Sequence, residues 1–123
     1  MFTVLAMIFC HVIDDYGLQG ILAQLKQKSY WRKDKQYKPL YRYDYICALI
    51  MHSFSWSFMI MLPIALKMSF NIGIDFLICI IINTAIHAIT DDSKANKFRI
   101  NLWTDQLIHM LQIAVTAMIF IGK

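Results

Sequence analysis

The chain has 123 residues, 59% of them hydrophobic and only 16% charged, with a formal net charge of +4. A soluble domain usually carries about 45–50% apolar and about 25% charged residues, so the composition excludes an ordinary water-exposed globule and points to one membrane domain. All eight acidic residues are aspartate, which removes glutamate, a good helix former usual on exposed faces of soluble helices.

Four apolar segments predict four helices in chain order, at about 2–25, 46–66, 70–89 and 102–121. Each is near the roughly 20 residues that an α-helix needs to cross a hydrocarbon core of about 30 Å. Barrel strands would be half as long and would alternate, which these segments do not. The expected fold class is therefore all-α, a four-helix transmembrane bundle of up-down topology forming a single domain over 1–123. Its first segment lacks a basic n-region and a small-residue cleavage site, and reads as a retained span. Pro63 is expected to kink or end the second helix. The third helix carries His87, with Asp91 at its boundary, and the fourth Asp105 and His109.

The separators set the orientation. Residues 26–44 (KQKSYWRKDKQYKPLYRYD) hold seven Lys/Arg, residues 92–101 hold Lys94, Lys97 and Arg99, and only Lys67 and Lys123 lie elsewhere. The positive-inside rule places both basic loops in the cytoplasm and both termini outside, a multi-pass arrangement in a bacterial inner membrane. Tyr30, Trp31, Tyr37, Tyr41, Tyr43, Tyr45 and Trp103 form the expected interfacial aromatic belt. The basic loop is too short to supply a folded nucleic-acid platform, so the expected partners are the lipid bilayer and further copies of the chain, with no nucleic acid. Cys10, Cys47 and Cys79 are odd in number, lie in apolar runs and lack CxxC spacing, so they are expected as buried thiols outside any disulfide or zinc site.

All four histidines lie within apolar segments, and three have an aspartate four residues away: His11/Asp15, His87/Asp91 and His109/Asp105. Four residues is one helical turn, so each pair is expected on one helix face. Ionisable groups are costly in hydrocarbon and persist there when they pair or bind an ion. Counting about 1.5 Å per residue from the basic loops puts most of these groups in the cytoplasmic half of the bundle. Imidazole and carboxylate suit zinc first, with manganese or iron as alternatives. His11, His87 and His109 are the candidate histidine ligands, with Asp15, Asp91 and Asp105 completing the coordination or acting as general base. His52 has no acidic partner in the sequence and is a candidate catalytic group. Seven groups exceed one tetrahedral set, so either some orient the ligands or there are two ions. Lys94, Gln19 and Gln106 are candidates for substrate binding, Lys94 by holding a phosphate or carboxylate headgroup.

The ordered patterns HVIDDYGLQ at 11–19, His52, HAITDDSK at 87–94 and DQLIH at 105–109 span nearly the whole chain. They resemble a family of small four-span bacterial and phage membrane proteins of unknown function, whose motifs are HxxxDxxLQ, a lone mid-chain His, HxxxDxxK and DQxxH. Carried over position by position, the resemblance marks His11, Asp15, Leu18, Gln19, His52, His87, Asp91, Lys94, Asp105, Gln106 and His109; Tyr16 departs from an expected Phe. It implies a shared site and no established reaction. A more distant similarity is to predicted membrane-bound metal-dependent hydrolases. The leading expectation is a membrane-embedded metal-dependent hydrolase acting on a lipid or lipid-linked substrate. A proton or metal-ion pathway is the second, weakened by the shortage of polar residues toward the outer face. The third is a non-enzymatic phage or bacterial membrane protein acting by interaction.

Overall fold

The computed structural model of the protein describes residues 1–32, 39–120 and 122. It is all-helical, with no strand among the described residues. Four helices build the body: α1 (Phe2–Val12), α4 (Asp44–Lys67), α5 (Ile74–Ala95) and α6 (Leu102–Phe120), with two short helices, α2 (Leu22–Leu25) and α3 (Lys28–Arg32), after α1. Helix α4 packs against α1 and α5, and α6 against α5 and α1, which closes a four-membered ring. Among the described residues, two stretches are long and apolar enough to cross a membrane, Pro39–Lys67 and Ile74–Ala95.

The first apolar segment is not one straight helix. α1 passes into a π-helical turn over Ile13–Leu18 and then breaks at Gly20, whose φ of +48° is left-handed backbone that suits a residue without Cβ. The chain then continues to the end of α5. Asn96, at the end of α5, holds it there: its Nδ2 donates to the Lys26 carbonyl (3.0 Å) and its Oδ1 accepts from the Lys28 N–H (2.7 Å). Part of the expected basic loop, including Tyr37 of the aromatic belt, lies outside the described residues, as do Ile121 and Lys123.

Pro63 does not end α4, which runs one turn further to Lys67. The reversal comes at Ser69 and Phe70, both at positive φ, with the Phe70 N–H closing onto the Ala65 carbonyl at 2.8 Å. Helix α5 starts later and ends later than the hydropathy pattern predicts, so that Asp91 and Lys94 are helical rather than at the boundary. At the start of α6, the Asn101 side chain accepts the Thr104 N–H (2.9 Å), an N-cap that satisfies one of the unpaired donors of the first turn. No disulfide links the cysteines. Only Cys79 is buried; Cys47 is exposed and Cys10 half-buried, contrary to the expectation for apolar segments, because both lie toward the outer face of their helices.

Burial is distributed inside out relative to a water-exposed bundle. Phe2, Leu5 and Phe9 on α1, Ile50, Phe54 and Phe58 on α4, Leu77, Ile81 and Ile89 on α5, and Leu107, Leu111 and Met118 on α6 are exposed. All four histidines and Asp14, Asp15, Asp91 and Asp105 are buried. One half of the interior is an apolar core around Met7, Ile60, Met61, Ile64, Ile113 and Phe120, and the other half is this polar cluster. Trp56, completely buried, belongs to both.

Candidate metal centre

Six of the predicted residues converge. Three overlapping groups have ligand atoms within 4.8 Å of one another: Asp15, His52 and His87; His87, Asp91 and His109; and Asp15, Asp105 and His109. The i, i+4 spacing is realised directly on α5, with His87 Nε2 at 3.8 Å from Asp91 Oδ2, and on α6, with His109 Nε2 at 3.5 Å from Asp105 Oδ1.

The tightest set surrounds His52. Its Nε2 lies 3.5 Å from Asp15 Oδ1, 3.4 Å from Asp91 Oδ2 and 3.2 Å from His87 Nε2. With Zn–N and Zn–O bonds of about 2.0–2.1 Å, a tetrahedral site separates its ligand atoms by about 3.3 Å. The three separations from His52 Nε2 therefore match those between two ligand atoms of such a site. His52, which has no acidic neighbour in the sequence, is the residue with most carboxylates around it.

His52 Nδ1 faces Asp14 Oδ2 at 3.9 Å, and neither atom has a hydrogen-bond partner. Asp14 Oδ1 is itself held by the Ser55 hydroxyl at 2.7 Å. A carboxylate behind the far nitrogen of a histidine fixes the ring and raises its basicity toward a metal. Asp14 and Asp15 are adjacent and both buried, within the π-helical turn. Such turns recur at functional sites.

His11 has a different position from the one its spacing suggests. Its Nδ1 accepts from Trp56 Nε1 at 2.7 Å, and its Nε2 meets Gln106 Oε1 at 3.0 Å. An indole N–H can only donate, so the His11 proton sits on Nε2 and is donated to Gln106. This fixes the Gln106 amide, whose Nε2 then donates to Asp15 Oδ2 (3.2 Å) and Asp105 Oδ2 (3.1 Å). Both His11 nitrogens are thus engaged away from the convergent groups, and His11 and Asp15 are linked through Gln106. The π turn is the reason: four residues no longer complete one turn across it.

The candidate substrate residues are engaged within the protein. Gln106 is the bridging amide just described, and Gln19 donates to the Asp15 carbonyl and fastens the π turn. Lys94 Nζ lies 2.6 Å from Asp105 Oδ2, with 28% of its side chain exposed at the edge of the cluster. Sequence reasoning missed three members. Lys26, inside the basic loop, is buried with its Nζ at 2.6 Å from Asp91 Oδ2. Asp14 stood as the unpaired neighbour of Asp15. Trp56 stacks on His87 with ring centroids at 4.3 Å, and His87 stacks on His109 at 4.2 Å, so the indole floors the centre.

Comparison with known protein families, with curated proteins and with solved structures finds no match.

Proposed function

We propose that the chain is a four-span membrane protein whose buried His/Asp centre binds a divalent transition-metal ion, zinc first among the candidates, and hydrolyses a lipid or lipid-linked substrate. The observation that carries this reading is the convergence of Asp15, His87 and Asp91 on His52 Nε2 at 3.2–3.5 Å, with His87 Nε2 and Asp91 Oδ2 3.8 Å apart. Asp15 and His52, with His87 and Asp91, would hold the ion, and Asp14 would orient His52. When bound, such an ion supplies Lewis-acid polarisation of a phosphoryl or carbonyl oxygen.

The remaining groups support a reacting site more than a conduit. Trp56 closes the centre against the apolar core, and Lys94, with part of its side chain exposed, lies at the edge of the cluster. Lys94 then offers an ammonium group to an anionic headgroup. Soluble monomers rarely expose contiguous apolar patches above a few hundred Å². The outward Phe, Ile and Leu side chains on all four long helices favour a bilayer around them. The basic residues of 26–44 and 92–101 favour a cytoplasmic location for that end, and the ordered motifs favour membership of the four-span bacterial and phage family.

Elemental analysis of the full chain, purified in mild detergent without chelators and then loaded and desalted, tests the reading. One or more bound equivalents of zinc, manganese or iron is the expected result, with loss in His52→Ala and His87→Ala. Sub-stoichiometric metal in the folded wild type would overturn it.

A further inference from the structure

Asp105 Oδ1 and His109 Nε2 are buried, 3.5 Å apart, and each lacks a hydrogen-bond partner. The protonation of His109 can be traced from the backbone. The Asn83 carbonyl can only accept, and Gln112 Nε2 donates to it at 3.2 Å, so the Gln112 amide has one orientation. Its oxygen therefore faces His109 Nδ1 at 3.3 Å, and Nδ1 must carry the proton that it accepts. A neutral His109 then presents a bare Nε2 lone pair to a carboxylate oxygen. Two acceptors facing each other in a buried site are unfavourable without a cation between them.

The other oxygen of Asp105 is already served. Oδ2 accepts from both Lys94 and Gln106, so Oδ1 is the oxygen left for a ligand. Asp15 completes the group: an atom of its carboxylate lies within 4.8 Å of the ligand atoms of Asp105 and His109. Asp15 also belongs to the set around His52.

We infer that the protein has a second divalent-cation site formed by Asp105, His109 and Asp15, with the Asp15 carboxylate shared between this ion and the one held by His52, His87 and Asp91. The inference rests on the metal-binding reading above and gives it a two-ion centre. Four carboxylates, Asp14, Asp15, Asp91 and Asp105, stand against the ammonium groups of Lys26 and Lys94, leaving two negative charges with neutral histidines. One divalent ion balances this set. A second leaves it cationic, which suits an anionic group such as a phosphate ester, and paired ions stabilise both the attacking and the leaving oxygen of such a displacement.

The experiment is metal stoichiometry of the full chain in detergent, after loading with Zn²⁺ or Mn²⁺ and removal of excess ion, for wild type, Asp105→Asn, His109→Gln and His52→Gln. Two equivalents in the wild type and one in folded Asp105→Asn and His109→Gln are expected. One equivalent in the wild type, unchanged in those two variants but lost in His52→Gln, overturns the second site and leaves the first intact. No metal in the wild type overturns both. Should the variants fail to fold, the wild type decides: exchange-coupled Mn²⁺ spectra at saturation are expected, and isolated single-ion spectra at saturation overturn the second site.

Discussion

Replacing Lys26 by Met removes a buried positive charge and keeps a side chain of similar length. In the wild type the ammonium nitrogen lies 2.6 Å from Asp91 Oδ2, the oxygen that also faces His52 Nε2 at 3.4 Å. Breaking a buried ion pair from one side costs about 3–5 kcal/mol, because the remaining charge is left uncompensated. That loss is expected in the ion-free protein. An ion beside Asp91 would stand about 4 Å from the ammonium group, where an effective dielectric constant near 20 gives about 4 kcal/mol of repulsion for each pair of unit charges. Lysine can relax away from the ion, so only a part of this is recovered on its removal. A third of it still corresponds to about tenfold in affinity. Lys26→Met is therefore expected to be less stable without metal and to bind Zn²⁺ about tenfold or more tightly than the wild type. Competition with a chelating dye measures the affinity, and thermal unfolding with and without Zn²⁺ measures the linked stability. Folding near position 26 should survive, because Asn96 grips the backbone there. Equal or weaker zinc binding by folded Lys26→Met would refute the placement of an ion at Asp91.

Asp14→Asn removes the carboxylate behind His52, and a loss of about tenfold in metal affinity is expected in the same dye competition, since such outer partners are worth about 10–100-fold. Ser55→Ala, one bond further out, should lose less. His11→Ala should retain stoichiometric metal, because both His11 nitrogens are engaged by Trp56 and Gln106, whereas His87→Ala should not; elemental analysis separates the two. Ile81→Arg, on the exposed face of α5, should impair membrane integration by about 3 kcal/mol in an insertion-reporter assay, the cost of a central arginine in a span. An exposed Ile on a water-facing helix would accept the arginine without loss.

Much of the centre is legible from spacing alone, because an α-helix converts four residues into one shared face. His87 with Asp91 and His109 with Asp105 meet this way on α5 and α6. The same arithmetic fails for His11 and Asp15, since a π turn between them changes the number of residues per turn, and no periodicity of the apolar residues announces it. Lys26 is illegible for another reason. Its neighbours in sequence are basic loop residues, and only the Asn96 clamp, which fixes this segment beside α5, brings it to Asp91. The helices themselves follow the apolar runs closely for α4 and α6. They shift for α5, where the polar TDDSK stretch continues as helix because Thr90 and Ser93 return their hydroxyls to carbonyls one turn back and Lys94 finds Asp105.

Trp56 gives the centre a direction. His11 and Gln106, between the indole and the carboxylates, could each in principle be reversed, by a change of tautomer or an amide flip. Indole has one N–H and no acceptor, so the sequence of protons that begins there reads only one way. Asp15 and Asp105 consequently each keep one oxygen turned to the same amide. Ions could then be exchanged in a cup whose walls hold their shape, so that capture and release need not wait for the protein to rearrange.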